Sequence, residues 1–72
     1  MRINHAALRV IRERTGYTQA KAAELAGIDR SNYAHLEAGR RPGTAEQVKK
    51  IATALDVPFT ALLGPEPETA VA

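Results

Sequence analysis

The side chains that most often carry out covalent or metal chemistry are few in this chain. Ser31 is the only serine, cysteine is absent, and His5 and His35 are the only histidines. Neither histidine has an evident carboxylate partner, so no nucleophile with its base can be assembled. Two histidines without thiolates also fall short of a structural zinc site. The sequence therefore predicts a protein that is not an enzyme and has no metal or other cofactor.

Basic side chains offer a different chemistry, because lysine and arginine bind phosphate groups. The net charge of the whole chain is only +2, but it is unevenly distributed. Residues 1–43 hold eight basic and four acidic side chains, a net charge of +4, whereas residues 44–72 hold two basic and four acidic ones, a net charge of −2. One half of the chain could therefore face nucleic-acid phosphates while the other does not.

The length of 72 residues is near the lower limit for a domain with a single hydrophobic core, so one domain is expected. The sequence has neither the apolar core of a signal peptide nor the roughly 20 apolar residues of a membrane span. We therefore expect a cytoplasmic protein with no membrane partner and no small-molecule substrate.

Glycine and proline residues separate short segments whose apolar spacing predicts five helices and no β-hairpin. Residues that can cap or open a helix mark the start of each one. These are Asn4 for a helix through Thr15, Thr18 for Gln19–Ala26, Asp29 for Arg30–Ala38, Thr44 with Gln47 for the fourth, and Pro58 for a short fifth helix through Leu63. Residues 1–64 are the predicted domain, and residues 65–72, rich in proline and glutamate, are a predicted flexible tail.

The segment TQAKAAELAGIDRSNYAHLEAG, residues 18–39, has small residues where two helices would cross. Ala23 permits close approach, and Gly27 suits a left-handed turn followed by Ile28. Together with Thr18-Gln19 at its start and Leu36-Glu37 near its end, this segment resembles the helix-turn-helix of the Cro and phage-repressor (Xre-type) family. The resemblance extends over residues 8–64. It implies an all-α, compact five-helix lambda-repressor-like domain whose second and third helices form the helix-turn-helix.

In that family the third helix lies in the DNA major groove, which implies base contacts by Arg30, Ser31 and His35. Arginine can donate two hydrogen bonds to guanine, and serine can donate to or accept from several bases. Asn32 is a secondary candidate for a base or a phosphate. The alternatives are that Arg30 only contacts phosphate or is neutralised by Asp29, and that His35 is an exposed bystander.

The resemblance also implies phosphate contacts, which hold the protein on DNA without selecting a sequence. Gln19 starts the second helix, where the helix dipole favours an anion. Lys21, Arg40 and Arg41 are the other predicted phosphate contacts, with solvated surface charge as the alternative.

Arg12 and Glu37 occupy positions that form an ion pair in the family, tying the first helix to the end of the third. The alternative is two solvated charges, which would contribute little to stability.

Two residues depart from the usual family pattern. Ala22 stands where a larger aliphatic residue is common. Either the core is therefore small at this point, or Leu25 is also buried in it. Asp56 stands where a glycine often ends the fourth helix.

The resemblance implies a sequence-specific regulator of transcription that binds double-stranded DNA, most simply a Cro-like repressor on a palindromic operator. One such domain contacts few base pairs, so a homodimer is expected, formed either in solution or only on DNA. The expected apolar patch for it is Val57, Phe59, Leu62 and Leu63, although most of these residues are expected to pack in the core, with Phe59 the most exposed. The competing function is a helix-turn-helix used for protein binding, as in an antitoxin.

Overall fold

The computed structural model describes residues 3–63. This part of the chain holds four α-helices and one short 3-10 helix. They are α1 (His5–Thr15), α2 (Gln19–Ala26), α3 (Arg30–Glu37), α4 (Ala45–Leu55) and the 3-10 helix Phe59–Leu62. The predicted all-α class is therefore confirmed for residues 3–63. The predicted flexible tail, and Gly64 as the end of the domain, lie outside the described residues.

The predicted fifth helix is a single 3-10 turn, so five α-helices are not observed. Ala61 N–H donates to Pro58 O and Leu63 N–H to Thr60 O, the spacing of a 3-10 helix. Leu63 then becomes extended, with φ −104° and ψ 149°, and forms an isolated antiparallel bridge with Ile3. The pairing with the distant Ile3 ends the helix before it can lengthen.

Each α-helix begins next to a side chain that accepts a hydrogen bond from the first turn. Asn4 Oδ1 accepts from Ala7 N–H at 3.1 Å, and Thr18 Oγ1 accepts from Lys21 N–H at 3.0 Å. The other two caps are Asp29 for α3 and Thr44, in a capping box with Gln47, for α4. These contacts satisfy N–H groups that would otherwise lack a partner, which is why the predicted starts are observed.

A tight turn joins α2 to α3 and sets the angle between them. Gly27 adopts a left-handed conformation with φ +70°, and Ile28 N–H donates to Ala23 O at 2.9 Å. Ala22 and Ala23 are each only 1% exposed, so α2 brings small side chains to its neighbours. The small residues and the glycine together allow α3 to be held at a fixed position against α2.

The core lies between the helices and is built from residues of every element. Its largest fully buried side chains are Tyr33, Leu8, Leu36, Ile51, Leu62 and Val48. Ala22 lies in this core, whereas Leu25 is 46% exposed and does not share the burial. Ala22, Ala23 and Ala26 form the buried face of α2, which leaves Leu25 on the outer side.

The expected apolar patch near the end of the chain is mostly part of the core. Leu62 is fully buried, while Val57, Phe59 and Leu63 are half-buried and pack against the core. Phe59, predicted to be the most exposed of the four, is half-buried like Val57 and Leu63. Lys49 Nζ lies 5.6 Å from the centre of its ring. The ammonium group therefore lies over the face of this ring, which attracts a cation.

Asp56 ends α4 in the left-handed region, with φ 58° and ψ 46°. Because this conformation crowds a Cβ atom, Asp56→Gly should raise the free energy of unfolding by about 0.5–1 kcal/mol, measured by urea denaturation. Asp56→Ala is the matched control, because alanine keeps the Cβ atom and should not stabilise the protein. A stabilising alanine would contradict the assignment of strain to this position.

Candidate nucleic-acid interface

Helix α3 divides its side chains between the core and the outside. Tyr33, Leu36 and Glu37 are buried. Ser31 is exposed, and the half-buried His35 lies four residues further on, which places both on the side of the helix away from the core. The helix therefore turns a polar edge outward while its other face anchors it.

Arg30 occupies the first position of α3 and is exposed. The neighbouring Asp29 carboxylate accepts hydrogen bonds from Ser31 N–H at 3.1 Å and Asn32 N–H at 3.3 Å. Among the described residues no ion pair joins Asp29 to Arg30. The Asp29 carboxylate binds the backbone N–H groups at the start of α3, so the Arg30 guanidinium is available for another partner.

The loop after α3 places both of its arginines against the helix. Arg41 Nη1 donates to Asn32 Oδ1 at 2.7 Å, and Arg40 Nη1 lies 3.3 Å from His35 Nδ1. Four of the residues predicted to contact DNA are thus joined in two pairs. Sequence reasoning missed these pairs, because no helical spacing links a loop residue to a side chain five or nine positions earlier.

Two predicted phosphate contacts lie in the first turn of α2. Lys21 is exposed. Gln19 is half-buried, and its Nε2 donates to Glu37 Oε1 at 3.0 Å. One of the two amide hydrogens of Gln19 is therefore already used inside the protein, and sequence reasoning missed this contact. The second hydrogen and the backbone N–H groups of this helix start can still meet an anion.

Arg12 and Glu37 form a two-point ion pair between α1 and the end of α3. Arg12 Nε donates to Glu37 Oε2 and Arg12 Nη2 to Glu37 Oε1, both at 2.8 Å. The side chains are only 12% and 3% exposed, so these charges are not solvated. Arg12 Nη1 also donates to Tyr17 O at 2.8 Å. With Gln19 added, this network ties three helices together behind the polar edge of α3.

The network shifts the acid–base equilibria of its members. Burial opposes ionisation of Glu37, but the hydrogen bonds from Arg12 and Gln19 and the charge of Arg12 outweigh it, so its pKa lies below the ordinary value. Burial, followed by the neighbouring Glu37 carboxylate, raises the pKa of Tyr33. The Tyr33 hydroxyl is buried and meets no hydrogen-bond partner within residues 3–63.

The lowered pKa of Glu37 links the stability of the protein to pH. A carboxylate whose pKa is lower in the folded state stabilises it above the ordinary pKa of glutamate, near 4.5, and loses that contribution as pH falls through the folded value. We expect the difference in unfolding free energy between the wild type and Glu37→Gln to be full near pH 7 and to shrink below about pH 4. Urea denaturation at several pH values measures it, and a difference independent of pH would contradict the assigned pKa.

Comparison with known proteins places this fold. Residues 6–63 match the family model described as a helix-turn-helix domain. The structure is also similar to the high-resolution crystal structure of the restriction-modification controller protein C.AhdI from Aeromonas hydrophila, with a TM-score of 0.79 and 36% sequence identity over 82% of this chain and 89% of that one. The chain belongs to the Cro/Xre helix-turn-helix family. No curated protein matches it in sequence.

This helix-turn-helix protein is accordingly a DNA-binding regulator of transcription. The family match includes α2, α3 and the loop that holds Arg40 and Arg41. Within residues 3–63 no helix is long and apolar enough to cross a membrane. In the same range, no three histidine, aspartate or glutamate side chains are grouped so that they could hold a metal ion.

Proposed function

We propose that the protein binds a palindromic DNA operator as a homodimer and represses transcription by occupying it, as a Cro-like repressor does. The observation that carries this proposal is the outward edge of α3. It holds the exposed Arg30 and Ser31 with the half-buried His35, on a helix anchored by three buried side chains. Such an edge fits the major groove, where the first residues of a recognition helix reach the bases.

The side chains divide into two roles. Arg30, Ser31 and His35 contact base edges, with Asn32 as a further candidate. Lys21, Arg40, Arg41 and the start of α2 at Gln19 contact phosphates. The half-buried Val57, Phe59 and Leu63 are the proposed surface for a second copy. Two copies would place two α3 helices about 34–36 Å apart, one turn of B-DNA.

The likeness to C.AhdI favours a second, related function. That protein is a controller of a restriction-modification system, and this chain covers most of it at 36% identity. A controller of this kind would use the same DNA-binding edge, so the two functions differ in the genes regulated and not in the chemistry of the site.

Selection of bound sequences from a pool of random duplexes tests the proposal. We expect the enriched sequence to be palindromic, with half-sites one helical turn apart, and binding to it to weaken steeply as salt rises. Failure to bind any duplex at low salt would contradict DNA binding. It would favour the alternative of a helix-turn-helix that serves protein contacts, as in an antitoxin.

A further inference from the structure

Two side chains along one side of α3 are each joined to an arginine of the following loop. Asn32 Oδ1 accepts from Arg41 Nη1 at 2.7 Å, and His35 Nδ1 lies 3.3 Å from Arg40 Nη1. Asn32 and His35 are three residues apart, so they lie one turn apart on the same side of the helix. The loop arginines are therefore held against the recognition helix and are part of its edge.

The contact with Arg41 determines which end of the Asn32 amide faces away from the loop. A guanidinium group has donors only, so it can face the amide oxygen but not the amide nitrogen. The two hydrogens of the Asn32 amide nitrogen are left for another partner. Arg41 is itself exposed and carries further N–H donors beside them. The pair therefore offers hydrogen-bond donors from both of its members.

Such a pair and a lone asparagine suit different base edges in the major groove. Guanine presents two acceptors there, N7 and O6, whereas adenine presents the N7 acceptor beside the N6 amino donor. A lone asparagine suits adenine because it offers one donor and one acceptor. When a guanidinium already binds one lone pair of its oxygen, an adenine amino group that approaches the second lone pair lies beside a positive charge, which disfavours that contact.

We propose that Asn32 and Arg41 act as one element that selects guanine, and that Arg41 sets this preference. The proposal rests on the proposed function, since it concerns how the same edge of α3 chooses its sequence. It gives Arg41 a role in specificity in addition to its charge, and it makes Asn32 a base contact whose preference depends on a loop residue.

Selection from random duplexes tests the element with two matched variants. Arg41→Met removes the donors and the charge but keeps much of the side-chain length, and Lys50→Met removes an exposed charge from α4, outside the proposed interface. We expect the wild type and Lys50→Met to enrich guanine at one position of each half-site. We expect Arg41→Met to shift the ratio of guanine to adenine at that position toward adenine by roughly fivefold or more, which corresponds to the loss of one specific base contact.

Repeating the change in an Asn32→Ala background separates a joint element from an independent arginine. There, Arg41→Met should no longer alter the base preference at that position, because the element is already broken. If it alters the preference equally in both backgrounds, or if it weakens binding to all duplexes alike, the inference is overturned while the proposed function stands. A wild-type protein that enriches no sequence overturns the proposed function itself.

Discussion

Glu37→Ala is expected to lower the free energy of unfolding by about 3–5 kcal/mol, because it leaves the Arg12 guanidinium buried without its partner. The Arg12 side chain is 12% exposed and donates two hydrogen bonds to this carboxylate. Gln19 loses its acceptor as well. A domain of this size has a total free energy of unfolding of only about 5–10 kcal/mol, so the variant should lose a large part of its stability. Urea and thermal denaturation measure the loss.

Two controls separate the buried pair from an ordinary loss of charge. Arg9 and Glu13 form an ion pair at 3.2 Å on α1, but their side chains are 67% and 53% exposed. Arg9→Ala, which breaks this exposed pair without touching Arg12, should therefore change the stability by no more than about 0.5 kcal/mol. The double variant Arg12→Met with Glu37→Leu should recover much of the loss, since no unpaired charge remains. A Glu37→Ala protein as stable as Arg9→Ala would show that the buried pair contributes little.

Arg30→Ala is expected to weaken binding to the preferred duplex by about 1–3 kcal/mol, or roughly 5- to 150-fold in Kd, and to relax the preference at one base pair. The physical reason is the loss of two donors from the exposed first position of α3, where Asp29 is occupied with backbone N–H groups. Fluorescence anisotropy with the preferred duplex and single-base variants of it measures both effects.

Lys21→Ala is the matched control for Arg30, because it removes one exposed charge from α2 and no proposed base contact. It should weaken binding to all duplexes alike and lower the dependence of log Kd on log salt by about one. Arg30 would be only a phosphate contact if its variant behaved in this same way.

The starts of the helices could be predicted from sequence because a cap is a local contact. Asn4, Thr18 and Asp29 each bind N–H groups two or three residues ahead, so residue type and position are sufficient. The conformation of Leu63, the last of the described residues, could not be predicted in this way. Leu63 is extended because it pairs with Ile3, sixty positions away, and no local pattern reveals that contact.

In the candidate site, too, the local features could be predicted from sequence and the contacts between distant residues could not. The outward position of Ser31 and His35 follows from the helical spacing of the buried Tyr33 and Leu36. The contacts of long side chains between elements do not follow from spacing. The hydrogen bond from Gln19 to Glu37 and the bond from Arg41 to Asn32 depend on how helices and loop pack.

The central claim is that the outward edge of α3 binds DNA, and amide NMR spectra of the labelled protein titrated with its selected duplex test it most directly. We expect the largest shift changes at residues 30–35 and 40–41 and at the start of α2, with small changes in α4. Changes concentrated at residues 57–63, with the amides of α3 unaffected, would contradict the claim.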